Sequence, residues 1–196
     1  MSVTEPFDGP FTNADGTVSQ MPMMQLEAAL PVLMTDRFSA FDLAYGDSLY
    51  SMSVLVPKVG TTAQDLVLDL DQETWDAWAS QFLHQKITLS MPRFEITYKE
   101  SLIDALTALG MGTAFNPGLA DFTRISSGGG LFIGDVIHQT AVKVNEEGTE
   151  AAAVTVVIIE LTSTGTHIRV DRPFVFMIRE RLSGTILFMG IIYTLS

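Results

Sequence analysis

The run TEAAAVTVVIIEL, Thr149 to Leu161, holds no proline and no glycine, and its only charges are Glu150 and Glu160. Left fully exposed, so apolar and β-branched a segment is an aggregation hazard. A strand has period two, and here the odd positions Thr149, Ala151, Ala153, Thr155, Val157 and Ile159 carry no charge, whereas both glutamates fall on even positions. One face can therefore be buried while the other need not be. A central strand accounts for that pattern, yet Ala151, Ala152 and Ala153 beside Gly148 are poor strand formers. Together these properties describe a strand that forms conditionally.

Outward from this run, strand spacing recurs at Met21–Met24, Phe38–Tyr45, Tyr50–Pro57, Gln85–Met91, Phe94–Tyr98 and Leu131–Val144, and the chain beyond Leu161 is nearly all strand-like. Two segments break the pattern. Between Glu73 and Phe82, the residues Trp75, Trp78, Ala79 and Phe82 lie three or four apart, which predicts one apolar helix face, with Asp69 and Asp71 placed ahead of its amino terminus. Ser101-Leu-Ile-Asp104 has the form of a capping box; Leu102, Ala105, Leu106 and Leu109 follow at helical spacing, and Gly110 and Gly112 supply a stop. Ser126–Gly130 reads as a loop. With no internal repeat and no linker, the sequence predicts one α+β unit dominated by strands.

Composition narrows the function. The 196 residues include 11 Lys+Arg against 23 Asp+Glu, a formal net charge of −12, and nucleic-acid partners, which require a positive surface, are not expected. The chain has no cysteine, so thiolate nucleophiles and zinc–thiolate sites are out. Its apolar runs fall well short of the roughly 20 residues of a membrane span, and the amino terminus MSVTEPFDGP has neither the basic start nor the apolar run of a secretion signal. His84, His138 and His167 lack paired-ligand spacing, so no metal or other cofactor is expected. Gly128-Gly129-Gly130 is not followed by the Lys-Ser or Lys-Thr of a phosphate loop, no GxSxG elbow is present, and Asp65, Asp69 and Asp71 read as solvated turn residues. Enzyme chemistry has no anchor.

The stretch Asn145-Glu-Glu-Gly-Thr-Glu-Ala-Ala-Ala153 resembles the reactive-loop hinge of the serpins, the serine protease inhibitor family, and Asp171–Ile178 with Leu187–Gly190 resembles the family's two closing strands. Pro6-Phe7-Asp8, Met21–Met24, Met91–Phe94, Leu106–Met111, Ala120–Phe122 and Val136–His138 follow the family's order. The resemblance covers essentially the whole of residues 1–196 and corresponds to the carboxy-terminal half of a serpin domain, without the amino-terminal helical half. It implies strands of a large and a small sheet, two or three short helices and an exposed reactive loop over about 146–170.

The resemblance also implies a mechanism. A serpin offers its loop as bait; the protease cleaves it, becomes acylated, and is trapped when the freed loop inserts into the large sheet as an added strand, releasing stored strain. In the family the attacked bond lies fourteen residues beyond the hinge glycine and eleven before the closing-strand proline; from Gly148 and Pro173 both counts reach Thr162-Ser163. Thr162 suits an elastase-like pocket, and a bond shifted to Leu161-Thr162 suits a chymotrypsin-like one. The hinge Glu146, Glu147, Gly148, Thr149, Glu150, Ala151, Ala152 and Ala153 matches inhibitory members, because an added charge or bulk at the inserted positions stalls insertion. Val154 is slightly larger than the family's usual alanine. Arg93 with Glu146 matches a pair that ties the loop's strand to its neighbour, and His138 a hydrogen-bond switch where the sheet opens; the alternatives are a surface ion pair and a core histidine. The family's breach tryptophan is replaced by Val3. The expected partner is a serine protease, the expected setting extracellular as for many members although some are intracellular, and half a domain is expected to self-associate through exposed strand edges. A non-inhibitory carrier or chaperone-like serpin and an inactive fragment are the other readings.

Overall fold

A computed structural model describes residues 2–3, 7–45, 48–145 and 165–196. The described residues form β1 (Ser2–Val3), β2 (Phe7–Thr12), β3 (Val18–Met34), β4 (Phe38–Tyr45), β5 (Tyr50–Pro57), α1 (Ala63–Leu68), α2 (Gln72–Ala79), β6 (Leu83–Pro92), β7 (Phe94–Ser101), α3 (Ile103–Leu106), β8 (Ile137–Val144), β9 (Thr166–Arg169), β10 (Phe174–Glu180) and β11 (Ile186–Ile192). They group into two compact units, 1–94 with 144–196, and 95–143. No proline- or glycine-rich linker marks the division, because the chain passes from β6 to β7 across the single residue Arg93.

The first unit is built on a nine-stranded sheet ordered β11-β10-β5-β4-β3-β6-β9, with β1 and β2 also paired to β3. Its strand pairs are antiparallel except β6 with β9, where Ile87–Ser90 run parallel to Thr166–Arg169. The sequence places β4 and β5 at their observed bounds, but the predicted Met21–Met24 is only part of the 17-residue β3. Pro22 and Pro31 argue against so long a strand, since proline cannot donate to a ladder. The strand tolerates Pro31 because between Ala28 and Pro31 it has one neighbour, β6, among the described residues; its pairing with β1 reaches only to Glu27 and that with β4 starts at Val32.

On one face of this sheet Phe38, Ala40, Leu55, Val175 and Met177 pack with Ala63 and Leu66 of α1 and Trp75 of α2. Trp78 lies against Phe38 with ring centroids 4.7 Å apart. Burying each such side chain stabilises the fold by roughly 1.5–3 kcal/mol, so both tryptophans serve the core, as their helical spacing predicts. Helix α2 starts where expected: Asp71 is its N-cap and accepts from the Thr74 N–H at 2.8 Å. Helix α1 is an addition to the sequence reading. Asp65, read as a turn residue, closes a capping box with Thr62: the Asp65 N–H donates to Thr62 Oγ1 at 3.1 Å and the Thr62 N–H donates to Asp65 Oδ2 at 2.8 Å.

The second unit, residues 95–143, holds most of the two-stranded sheet β7–β8 and the segment between them. Here the predicted capping box at Ser101–Asp104 does not form. Ser101 Oγ donates instead to Asp135 Oδ1 at 2.6 Å, and α3 begins after Leu102 without a side-chain cap. The chain continues winding past Leu106 through a wide π turn, Thr107–Met111, and a 3₁₀ turn, Gly112–Phe115. Gly110 breaks the winding, as expected: at φ +97° it is non-helical and kinks the segment, a conformation glycine reaches without a Cβ clash. The predicted strand over Leu131–Val144 is strand only from Ile137.

Candidate functional site: the flanks of the conditional strand

Residues 146–164 lie outside the described residues, and with them the hinge from Glu146 to Ala153, both candidate bonds at Leu161, Thr162 and Ser163, and the Arg93–Glu146 pair. The structure defines what holds this segment at each end. On the amino-terminal side it leaves β8, paired to β7 in the two-stranded sheet. At the end of β8 Val142 and Val144 are buried, and the exposed Lys143 ammonium sits 3.8 Å from the Glu95 carboxylate. On the carboxy-terminal side the segment enters β9, which pairs with β6 in the nine-stranded sheet.

The carboxy-terminal anchor is the firmer of the two. Ile168 and Val170 are buried, and the Val170 N–H donates to Ser90 O at 2.8 Å. The Thr12 N–H donates to Asp171 O at 2.7 Å, while Arg172 Nε donates to Asp171 Oδ1 at 2.8 Å. Past this point β10 runs between β5 and β11, with Phe174, Val175, Phe176 and Met177 all buried. The chain end is clipped as well: Asn13 Oδ1 accepts from the Leu195 N–H at 3.0 Å. The described chain thus stops after a strand of the two-stranded sheet and resumes at 165 ahead of a strand of the nine-stranded sheet.

Of the other predicted residues, Arg93 is half-buried at the β6–β7 junction, and its N–H donates to Pro22 O at 2.9 Å. His138 is exposed on β8, with its Nε2 3.0 Å from Thr140 Oγ1 and its ring centroid 6.2 Å from that of Tyr98. Among the described residues it is not buried, as both a core histidine and a switch set within a sheet would be. Asp65 and Asp71 are exposed caps; hydrogen bonds from the Thr62 hydroxyl and N–H hold the first below the ordinary 3.8, and those from Thr74 do the same for the second.

One polar constellation escaped the sequence reading. Asp42 on β4, buried to 8% side-chain exposure, is ion-paired with Arg179 on β10, at 14%. Ser53 Oγ of β5 also donates to the Asp42 carboxylate, Arg179 Nε donates to Ser53 Oγ at 3.0 Å, and the guanidinium carbon stands 5.4 Å from the Trp75 ring centroid. The available signal was a lone carboxylate in the otherwise uncharged run Phe38–Tyr45; the partner lies 137 residues away. No buried side-chain polar atom among the described residues lacks a partner, and this cluster reads as a lock across three strands.

The sequence profile of the family Serpin (serine protease inhibitor) matches residues 3–195, and this chain belongs to the serpin family. It is 34% identical over 188 residues to Iripin-4 of Ixodes ricinus, covering 92% of this chain and 47% of that protein. It is 32% identical over 186 residues to intracellular coagulation inhibitor 1 of Tachypleus tridentatus, covering 92% and 44%. The native crystal structure of the thermophilic serpin tengpin superposes with a TM-score of 0.83 at 26% identity, over 97% of this chain and 50% of that one. The chain spans about half the length of the relatives it matches, and its fold is the corresponding part of the serpin fold.

Proposed function

We propose that this chain carries the bait of a serine protease inhibitor of the suicide-substrate type. A protease with an elastase-like pocket attacks Thr162-Ser163, or one with a chymotrypsin-like pocket attacks Leu161-Thr162. The acylated segment then adds as a strand to the large sheet and holds the enzyme. The observation that carries this reading is the hinge Gly148-Thr-Glu-Ala-Ala-Ala153, which pairs an uncharged Thr149 with three small residues in a chain that belongs to a family of protease inhibitors. Side chains of this size enter a closed sheet without stranding a charge or overpacking it. Arg93 with Glu146 and His138 would act at the point where the sheet opens.

Incubation with elastase, a denaturing gel and the mass of the released peptide test the reading. A denaturant-resistant complex with a peptide starting at Ser163 is the expected result, and Thr149→Arg abolishes the complex while cleavage continues. Cleavage at that bond without a complex makes this chain a substrate and shows that trapping requires more of the domain. No cleavage between Glu160 and Ser163 by either protease class rules out the assigned bait.

A further inference from the structure

Between Phe115, where the 3₁₀ turn ends, and Ile137, where β8 starts, residues 116–136 run without helix or strand. Connections that long are uncommon and tend to carry function. From Gly118 to Phe132 every hydrogen bond among the described residues spans four residues or fewer. Turns held in this way open locally while the rest of the fold stays closed. Within the stretch Thr123, Arg124 and Ile125 are exposed, Ile125 to 77%. The nearby Asp121 carboxylate is engaged by the Thr123 N–H at 3.1 Å and hydroxyl at 2.7 Å, and the Arg124 side chain has no ion pair or hydrogen bond among the described residues. After Ile125 come Ser126-Ser-Gly-Gly-Gly130, whose small side chains crowd no cleft. Exposed loops with small and polar residues are where proteases nick a chain.

We propose that Arg124-Ile125 is a second protease-cleavage site, recognised by an enzyme whose specificity pocket holds a carboxylate, as trypsin's does. It is separate from the candidate bait, whose Leu161 and Thr162 suit apolar pockets, and it does not depend on the inhibitory reading. The other basic residues are poorer targets. Of the 11 Lys and Arg, β6 to β10 hold one each, and a strand must leave its ladder before it can enter a protease cleft. Arg37, Lys58 and Arg181 sit in short turns with their side chains bonded to the Asp69 carboxylate at 2.6 Å, Thr35 O at 2.5 Å and Ser48 O at 3.1 Å. The Arg93 N–H is tied to Pro22 O, and Arg172 precedes Pro173, whose ring nitrogen carries no proton and fits a trypsin-like cleft badly. Hydrolysis breaks the bond between the Arg124 carbonyl carbon and the Ile125 nitrogen. Water supplies the new oxygen of the Arg124 carboxylate, and its two protons leave Ile125 with an ammonium terminus. The cut falls between β7 and β8, so residues 125–196, with the whole bait, are no longer joined covalently to residues 1–124.

The test treats the full 196-residue chain with trypsin at low ratio and follows the fragments over time by intact mass and amino-terminal sequencing. The first cut should give residues 1–124 and a fragment beginning Ile125-Ser-Ser-Gly. Arg124→Gln should slow that cut at least about a hundredfold, because the carboxylate of the pocket then meets no cation, whereas Arg124→Lys should keep it. Opening of the turn is local, so Thr62→Ala, which removes the cap of α1, should leave the rate at this bond within about twofold. A first cut at any other Lys or Arg overturns the proposal, as does undiminished cleavage of Arg124→Gln at this bond. A rise of about fivefold in Thr62→Ala also overturns it, since the bond would then be reached only through unfolding of the whole chain.

Discussion

The strands β4, β5 and β10 are more apolar in sequence than the unit 95–143, and the two regions differ further in what they bury. In the three strands Phe38, Phe41, Met52, Val54, Leu55, Phe174 and Met177 are all at most 2% exposed. In 95–143 the buried apolar residue is Val142, while Leu109, Leu119 and Ile125 stand 80%, 64% and 77% exposed. Apolar content alone does not make a core. The strands have one in the described chain because two helices cover their face and a buried ion pair ties β4 to β10. Residues 95–143 have strand and turn geometry without an equivalent cover.

The largest effect should follow from breaking that tie. Asp42→Ala leaves the Arg179 guanidinium buried without its carboxylate, and about 3–5 kcal/mol of stability should be lost. Denaturant unfolding measures it, and pairing Asp42→Ala with Arg179→Met should recover part of the loss; a change below about 1 kcal/mol in the single variant would show that the pair is no lock. Next in size is Gly190→Ala. A Cβ there would stand 2.8 Å from Phe176 Cε1, so the β10–β11 contact must open, at a cost of about 1–3 kcal/mol. Glycine is thus required at this position for close packing, since the neighbouring ring occupies the space.

Smaller and sharper is the contrast between two similar cap sequences. Thr62→Ala should cost about 1 kcal/mol, because that hydroxyl caps α1. Ser101→Ala should leave the start of α3 unchanged by chemical shift, because its hydroxyl serves Asp135. The smallest effect is in acid. Hydrogen bonds lower the carboxyl groups of Asp65 and Asp71 below the ordinary 3.8, so the unfolded chain binds protons first as pH falls. Their stabilisation is therefore complete above that value and disappears as pH drops through the lowered folded values. The unfolding midpoint of the Asp71→Asn variant should converge on that of the unsubstituted protein as pH falls through this range, and parallel curves would deny the caps a part in it.

These cases also show how far the sequence could be read. Phe38–Tyr45 and Tyr50–Pro57 emerge at their observed ends because local pattern and final burial agree. Only Met21–Met24 of β3 is expected from local spacing, since tolerance of Pro31 depends on which neighbours flank it. The box at Ser101 was misplaced because the competing acceptor is 34 residues away, and the Asp42–Arg179 lock was invisible because its partners are 137 apart. Membership of the serpin family is legible by resemblance, through the motifs of its reactive segment. The flanks of that segment are not, since pairing of β9 with β6 is a fact of topology that no local period encodes.

Strand β10 sits between β5 and β11, yet it is made long after β5. A chain growing from its amino terminus must hold β5 as a temporary edge, with Met52 and Val54 lacking their final neighbour, until Phe174–Glu180 has emerged. At synthesis rates of about 5–20 residues per second, the stretch from Pro57 to Phe174 occupies several seconds to some tens of seconds. Throughout that time β5 lacks its β10 neighbour, so this side of the sheet is completed only when Phe174–Glu180 is made.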